Sequence, residues 1–382
     1  MADVLDHIPS FGDLRVDDTQ VSAFEAARSE VAATGDVPAD EIELGVVVRL
    51  DRGFPMIAMR DGALLRAEHA VEFAKGKPGK RGKRGKRAQD ADAAASAGID
   101  GMLPSVGDFV AVRVTPGHDM GVILRVLPRR TSFERWRGKN RGERQVLAAN
   151  VDVIFIVQPL GAERDTLPLM RDRVARSLVL ARDCGASPVV VLTKVDRCDA
   201  EEVLGVCDDL RRLAGDGVRV IATSSRTGAG LDEVRSCIPR GSVGMILGES
   251  GAGKSTLLNT LLGSEALETN AVRERDDAGR HTTVARIMVA LPDPCGVIAD
   301  CPGLRSLPLV GHERGLARSF PEIVEASRAC RFNDCTHLHE PGCAVRAGVE
   351  GGEIEQVRLD AFLSLAREMR VSAQSLDPDI HL

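Results

Sequence analysis

The stretch 248–256, GESGAGKST, constrains this chain more than any other. It fits the phosphate-binding pattern G-x-x-x-x-G-K-[ST] at every required position. An apolar run at 243–247 precedes it as a predicted buried strand, and residues 256–262 follow as a predicted helix. Glycines let backbone N–H groups turn toward a phosphate, and the N-terminus of a helix adds a favourable dipole. We therefore expect a nucleotide to contact Gly248, Glu249, Ser250, Gly251, Ala252, Gly253, Lys254, Ser255 and Thr256, with Lys254 on the β- and γ-phosphates and Ser255 on Mg²⁺.

Length and composition favour a globular chain of two or three domains. The 382 residues are enough for a core of ordinary size, and 43% of them are hydrophobic against 28% charged. No apolar run approaches the roughly 18 residues of a membrane span. Residues 1–10 lack the basic start and apolar stretch of a secretory signal. We expect a cytoplasmic protein with no membrane partner.

Short β-rich runs dominate the N-terminal part of the chain. Residues 1–42 are acidic and rich in alanine, with a weak helical stretch at 21–33, and predict a loosely attached extension. Short strands at hairpin spacing, without helices between them, favour a small barrel. An OB-like barrel is the first choice and an SH3-like barrel the alternative, because strand count does not separate them. The predicted strands are 44–50, 55–60, 106–114 and 121–127.

One basic segment interrupts these strands, and another follows them. The insertion at 75–98 begins with dense Lys, Arg and Gly at 75–87, which predicts a flexible loop suited to nucleic-acid phosphates. A solvated insertion without function is the alternative. A second basic stretch at 129–141 carries Trp136. That tryptophan is predicted either to stack on a base or to anchor the exit of the barrel.

From residue 150 strands alternate with helices, and polar residues follow the strands, as in a doubly wound α/β site. The segment 300–303 has the form D-x-x-G, and 193–196 has the form [NT]-K-x-D. The carboxylate of Asp196 matches the N1–H and N2–H₂ donors of guanine, which adenine lacks. These motifs predict a GTP site: Thr193, Lys194, Asp196, Ser224 and Ser225 for the base, Gly303 for the γ-phosphate, and Asp300 with Thr282 or Thr283 for Mg²⁺.

A cluster of cysteines predicts a structural zinc ion near the C-terminus. Nine cysteines are present, and Cys330, Cys335 and Cys343 lie close together with His337 or His339 as a fourth ligand. Three thiolates and one imidazole form a closed tetrahedral set. Apolar residues then recur at helical spacing, which predicts a C-terminal helix that packs on the core: Ile354, Val357, Ala361 and Leu365.

The base-recognition motifs precede the P-loop, an order that a circular permutation explains. The chain resembles the RsgA (also called YjeQ) family of circularly permuted GTPases, which act in late maturation of the small ribosomal subunit. The resemblance covers about 43–370. It implies a fold of three parts, an OB-like β-barrel at 43–147, a circularly permuted α/β GTPase domain at 148–315 and a zinc-binding helical domain at 316–382. The motifs that carry it are 106–108, 148–152, 193–196, 248–256, 279–283, 300–303 and the cysteine cluster.

Further expectations follow from this resemblance. The family's cysteine pattern implies His337 as the zinc ligand, with one structural Zn²⁺ per subunit. Leu304 stands where Ras-like enzymes place a water-orienting glutamine. The family's switch-one histidine corresponds to His281, which is therefore a candidate catalytic residue beside Lys254; an ordinary loop residue is the alternative. Thr193 replaces the commoner asparagine, which shortens a polar arm near the base.

The resulting function is a GTP hydrolase with a low intrinsic rate that the small ribosomal subunit stimulates. It is expected to bind that subunit and its rRNA as a monomer, and to couple GTP hydrolysis to late maturation and to its own release. An ATP-binding cassette protein is rejected because no L-S-G-G-Q-like signature is present and Cys301 follows Asp300. The remaining alternative is an RNA-binding assembly scaffold in which GTP is only regulatory.

Overall fold

The structure, a computed structural model, describes residues 4–51, 54–69, 102–137, 143–161, 166–266, 286–301, 307 and 309–376. The basic insertion lies outside these residues. Within them, none of the helices is long and apolar enough to cross a bilayer.

Five strands close into a barrel in the order β1-β2-β3-β5-β4, with β4 pairing back onto β1. β3 and β5 run parallel, and the other neighbours are antiparallel. Aliphatic side chains from these strands fill the barrel interior. The closed barrel of five strands confirms the OB-like prediction. The strands are β1 (Ile42–Leu50), β2 (Met56–Met59), β3 (Leu64–His69), β4 (Phe109–Arg113) and β5 (Met120–Val126).

A two-stranded hairpin leads from the barrel into the α/β domain. It consists of β6 (Ser132–Arg137) and β7 (Glu143–Ala149). Residues 132–137 of the second basic stretch therefore form β6. The predicted boundary at residue 147 falls inside β7, and the division into domains stays a prediction.

The α/β domain is built on strands in the order β10-β9-β8-β11-β13-β12. The first five are parallel, and β12 is antiparallel to β13. Every residue of β8 is buried, and its alternate side chains enter apolar clusters on opposite faces of the sheet, as expected of a parallel strand covered on both sides. The strands are β8 (Val153–Pro159), β9 (Ser187–Thr193), β10 (Arg219–Ala222), β11 (Val243–Leu247), β12 (Arg286–Ala290) and β13 (Val297–Asp300).

Helices cover both faces of this sheet. Side chains of α2 and α3 join one apolar cluster, and those of α4 and α5 join the other. The helices are α2 (Leu167–Cys184), α3 (Ala200–Ala214), α4 (Leu231–Ser236) and α5 (Lys254–Leu262).

The barrel and the α/β sheet are hydrogen-bonded to each other. The end of β1 pairs with the start of β12, with Arg49 opposite Ile287 and Leu50 opposite Arg286. One sheet therefore runs from the barrel into the α/β domain.

The C-terminal part is helical and packs back on the α/β domain. Ala361 and Leu365 on the last helix are buried, as the sequence predicts. Ile354 is also buried but lies before this helix, which begins at Gln356, and Val357 is only partly buried. The buried Arg358 donates to the carbonyls of Leu213 and Ser319, each at 2.7 Å, and so ties the last helix to two others. The helices are α6 (Glu313–Ser319), α7 (Pro321–Ser327), α8 (Ala344–Glu350) and α9 (Gln356–Leu376).

The N-terminal extension corrects the expectation of loose attachment. It contains α1 (Asp18–Ala33), which begins at a capping box between Asp17 and Gln20. Phe24 on this helix is 3% exposed, and Leu14 forms a bridge with Gly241 in the α/β domain. The extension thus packs against the folded core. The sequence signal was weak because only a few of its residues are buried, too few for a clear helical stripe.

Candidate nucleotide and zinc sites

The loop at 248–253 connects β11 to α5 as the P-loop pattern predicts. Gly251 and Gly253 adopt φ of +83° and +89°, a region that favours glycine. A Cβ at Gly248 would lie 2.5 Å from the carbonyl oxygen of Val157 in β8. Only glycine therefore lets the loop pass this close to the neighbouring strand. The Lys254 amine donates to the carbonyls of Gly248 and Glu249 at 2.7 and 2.6 Å. This lysine therefore reaches from the helix back to the start of its own loop.

The T-K-V-D segment begins at the end of β9 and contacts the P-loop directly. The Thr193 hydroxyl donates to the carbonyl of Ala252 at 2.7 Å, and the Lys194 amine donates to that of Gly251 at 2.7 Å. Lys194 has φ of +62°, which directs the chain into the turn that follows. Despite its shorter side chain, Thr193 still supports the nucleotide loop. The predicted position of Lys194 over the base stays a prediction.

Asp196 is held by the segment that follows β10. Since β9 and β10 are parallel neighbours, their ends meet at one edge of the sheet. The buried Ser224 hydroxyl donates to Oδ1 of Asp196 at 2.6 Å, and this bond lowers the pKa of the carboxyl group below its usual value. Arg226 lies 3.7 Å from the other oxygen. Asp196 is therefore ionised at neutral pH and can accept hydrogen bonds from guanine. Ser225 follows as a partly exposed residue.

The candidate Mg²⁺ residues lie on neighbouring elements. Ser255 is the second residue of α5, and Asp300 ends β13, which pairs in parallel with β11 ahead of the P-loop. A hydroxyl and a carboxylate are oxygen ligands of the kind that Mg²⁺ prefers, so these two residues fit the ion. His281, Thr282, Thr283, Gly303 and Leu304 lie outside the described residues.

Cys301, next to Asp300, is structural. Its thiol is buried and donates to the carbonyl of Leu147 in β7 at 3.5 Å. Burial raises its pKa to about 12, so it remains a thiol at neutral pH.

The cysteine cluster has a geometry that fits tetrahedral zinc. Ligand atoms of Cys330, Cys335, His337 and Cys343 all lie within 4.8 Å of one another. The sulfurs of Cys330 and Cys343 are 3.9 Å apart, and Nδ1 of His337 lies 3.6 and 3.4 Å from them. Tetrahedral Zn–S bonds of about 2.3 Å would place two sulfurs roughly 3.8 Å apart. The donor set brings in His337 and leaves out His339, in agreement with the family pattern.

A buried polar junction between barrel and α/β domain was not assigned any role from the sequence. Asp108 is completely buried and accepts two hydrogen bonds from Arg129, each 2.6 Å long. The side chain of Asn150 donates to the carbonyl of Gly107 at 2.8 Å and accepts from Gln20 at 3.1 Å. Arg129 begins the second basic stretch, and the structure shows it in this internal ion pair. The motifs 106–108 and 148–152 were the available signal.

The fold and the site together define a circularly permuted P-loop GTPase. The P-loop strand β11 lies at the centre of the sheet, although it comes fourth along this part of the chain. The strands that carry the base-recognition segments, β9 and β10, come before it in sequence. The P-loop, the T-K-V-D segment, the segment after β10 and Asp300 nonetheless all lie at the carboxyl ends of parallel strands, at one edge of the sheet.

Comparisons with known proteins agree with this class. The family model described as RsgA GTPase matches residues 126–310. Two curated relatives share the name "Small ribosomal subunit biogenesis GTPase RsgA". The one from Streptomyces avermitilis is 44% identical over 263 residues, which are 69% of this chain and 68% of the relative. The one from Methanosarcina acetivorans is 39% identical over 296 residues, covering 76% of this chain and 77% of the relative.

Solved structures support the fold alone. YjeQ from Thermotoga maritima has a TM-score of 0.61 at 22% identity and covers 86% of this chain and 99% of its own. YloQ, described as a circularly permuted GTPase, has a TM-score of 0.57 at 20% identity, with 86% and 96% covered. The chain belongs to the RsgA GTPase family and is a GTP hydrolase.

Proposed function

We propose that this GTPase binds the small ribosomal subunit and couples GTP hydrolysis to late maturation of the subunit and to its own release. The name that the two relatives share supports a role in biogenesis of the small ribosomal subunit. The observation that carries the coupling is the pairing of β1 with β12. β12 begins at Arg286, directly after the predicted switch one at 279–283, so a barrel strand lies against the strand that switch one enters.

The second predicted switch, switch two, runs from Asp300 to about Leu307 and has a similar connection. The chain leaves the D-x-x-G segment at 300–303 and continues into the C-terminal helices, beginning with α6. A conformational change that depends on the γ-phosphate can therefore be transmitted to the barrel through switch one and to the zinc region through switch two. In this proposal the barrel and the zinc region contact rRNA, and GTP state sets their geometry. The protein acts as a monomer in the cytoplasm.

The residues of the site take the following roles. The P-loop amides and Lys254 bind the phosphates; Thr193, Lys194, Asp196, Ser224 and Ser225 hold the base. Ser255, Asp300 and a threonine of switch one would hold Mg²⁺, which when bound would stabilise the charge that develops on the phosphates. The N–H of Gly303 contacts the γ-phosphate, and His281 orients the attacking water. Zn²⁺, held by Cys330, Cys335, His337 and Cys343, is structural because its four positions are filled by protein.

The test is a hydrolysis assay that compares GTP with ATP, with and without isolated small subunits. We expect the protein to hydrolyse GTP but not ATP, and to hydrolyse GTP faster when small subunits are added. Lys254→Ala should abolish the increase. Wild-type protein whose GTP turnover does not respond to the subunits would contradict the proposal. Maturation that proceeds normally with Lys254→Ala would favour the scaffold alternative.

Two further assays test the coupling and the catalytic residue. Affinity for the small subunit should differ between complexes with GDP and with a GTP analogue; equal affinities would exclude coupling to release. His281→Ala should lower GTP turnover at saturating substrate. Unchanged rates with and without subunits would remove His281 from catalysis.

A further inference from the structure

Two arginines one helical turn apart on α2 face the nucleotide loop and the C-terminal helix. Arg173 pairs with Glu249 of the P-loop at 2.8 Å. Arg176 pairs with Glu368 on α9 and donates a hydrogen bond to the carbonyl of Leu307 at 2.6 Å. Both arginines border a cavity of about 370 Å³ between the P-loop, α2 and α9. One face of α2 therefore contacts three segments that are distant in sequence.

Leu307 gives the Arg176 contact its importance. It follows Asp300 by seven residues, on the chain that leaves the D-x-x-G segment, and it is buried, at 7% exposed. Asp300 fixes one end of this segment, because it ends β13. Arg176 holds a backbone carbonyl at the other end. A guanidinium suits this task, since its planar group can bond a carbonyl and a carboxylate at the same time.

We propose that Arg176 is a positioning residue for GTP hydrolysis, which fixes the exit of switch two through the carbonyl of Leu307, and that Glu368 orients its guanidinium from the C-terminal helix. Hydrolysis needs the γ-phosphate sensor and the attacking water to be held in place. A looser exit would leave nucleotide binding intact, because the P-loop and base contacts do not change. It would reduce the time that switch two spends in the reactive arrangement. The effect should thus fall on kcat and not on KM.

The variants separate the two contacts of Arg176. Arg176→Ala removes both, and a hydrogen bond from a charged donor is strong enough that we expect kcat to fall about tenfold, with KM for GTP within about twofold. Arg176→Lys keeps a cationic donor and should recover part of the rate. Glu368→Ala leaves the hydrogen bond from Arg176 to the carbonyl of Leu307 but removes the carboxylate that orients the guanidinium. Its kcat should lie between those of wild type and Arg176→Ala.

The double variant tests whether Glu368 acts through Arg176. Arg176→Ala combined with Glu368→Ala should be no slower than Arg176→Ala alone, because the effects of residues in one network are not additive.

Rates are expressed per site that binds fluorescent GDP, so that unfolded protein does not count. Arg211→Ala is the matched control: Arg211 also lies on a helix and pairs with an acidic partner, Asp208, at 2.6 Å, and its kcat should match wild type.

Amide exchange supplies a readout that a general loss of stability would not reproduce. In Arg176→Ala, exchange should rise around Leu307 while the P-loop stays protected with GDP bound. A folded Arg176→Ala protein with wild-type kcat would overturn the proposal. So would a raised KM at constant kcat, or losses that add fully in the double variant.

Discussion

The contact between Thr193 and the P-loop leads to a quantitative prediction. Thr193 is 4% exposed, and its hydroxyl lies 2.7 Å from the carbonyl oxygen of Ala252 but 3.4 Å from that of Gln158. A hydroxyl has one proton, so the shorter contact is the hydrogen bond. Ala252 is itself buried, at 1% exposed. Water is therefore poorly placed to replace this donor.

Thr193→Val keeps the shape of the side chain and removes the donor. A neutral hydrogen bond contributes about 1 kcal/mol net, and a buried acceptor left without a partner costs about 1–3 kcal/mol. Since the loop must hold its shape to bind phosphate, we expect about 1–2 kcal/mol to be lost from nucleotide affinity. That loss corresponds to roughly 5- to 30-fold weaker binding of GDP. Thr193→Ser retains the donor and should bind nearly as well as wild type.

The assay is an equilibrium titration with fluorescent GDP, together with urea unfolding to confirm that the variant folds. Thr223→Val is the matched control. Its hydroxyl donates to the carbonyl of Leu192 at 2.9 Å, and that carbonyl also accepts the backbone N–H of Thr223 at 2.7 Å. The carbonyl of Leu192 therefore keeps a hydrogen-bond partner in Thr223→Val, and the affinity of this variant for GDP should change less than twofold. Folded Thr193→Val that binds GDP like wild type would refute the reasoning.

Three other predictions concern stability and metal content. Phe24→Ala should lower the free energy of unfolding by about 3–5 kcal/mol in a denaturant titration, because it empties the buried site where the N-terminal helix packs. An unchanged midpoint would mean that this contact does not contribute to stability. Arg129→Ala leaves the buried Asp108 side chain without its ion-pair partner, with only the backbone N–H of Ser105 at 2.7 Å, and should cost about 3–5 kcal/mol. Removal of the exposed Arg328–Glu325 pair by Arg328→Ala should cost less than about 1 kcal/mol. Elemental analysis should find about one zinc per wild-type chain and a large loss of zinc in Cys335→Ser. The control variant Cys237→Ser, outside the cluster, should keep its zinc. Equal zinc content in the two variants would exclude the cluster as the site.

The sequence alone was sufficient for the features that depend on local pattern. The P-loop, the T-K-V-D segment and the cysteine cluster are short, and their chemistry depends on residue type and spacing. The helix after the P-loop was predicted at 256–262 and is observed at Lys254–Leu262. The OB-like barrel was favoured from its short strands, and the structure settled it by showing the closed strand order.

Other features depend on residues far apart in the chain. The hydrogen bond between Gln20 and Asn150 spans 130 positions, and neither residue stands out in its own segment. A buried Phe24 in an alanine-rich helix looks like part of a loose extension until its neighbours are known. Likewise, Arg129 looks like one more charge in a basic stretch, although its partner is the buried Asp108.

The P-loop shows the same division within one site. Its sequence determined that the chain binds a nucleotide, since glycine conformations and a lysine at fixed spacing are sufficient to form a phosphate cradle. The nearby Asp196 then indicated guanine. Only the tertiary structure decided that Thr193 and Lys194 support the loop, that Ser224 holds Asp196, and that a barrel strand pairs with the strand after switch one. These contacts join separate segments, and the fold alone brings such segments together.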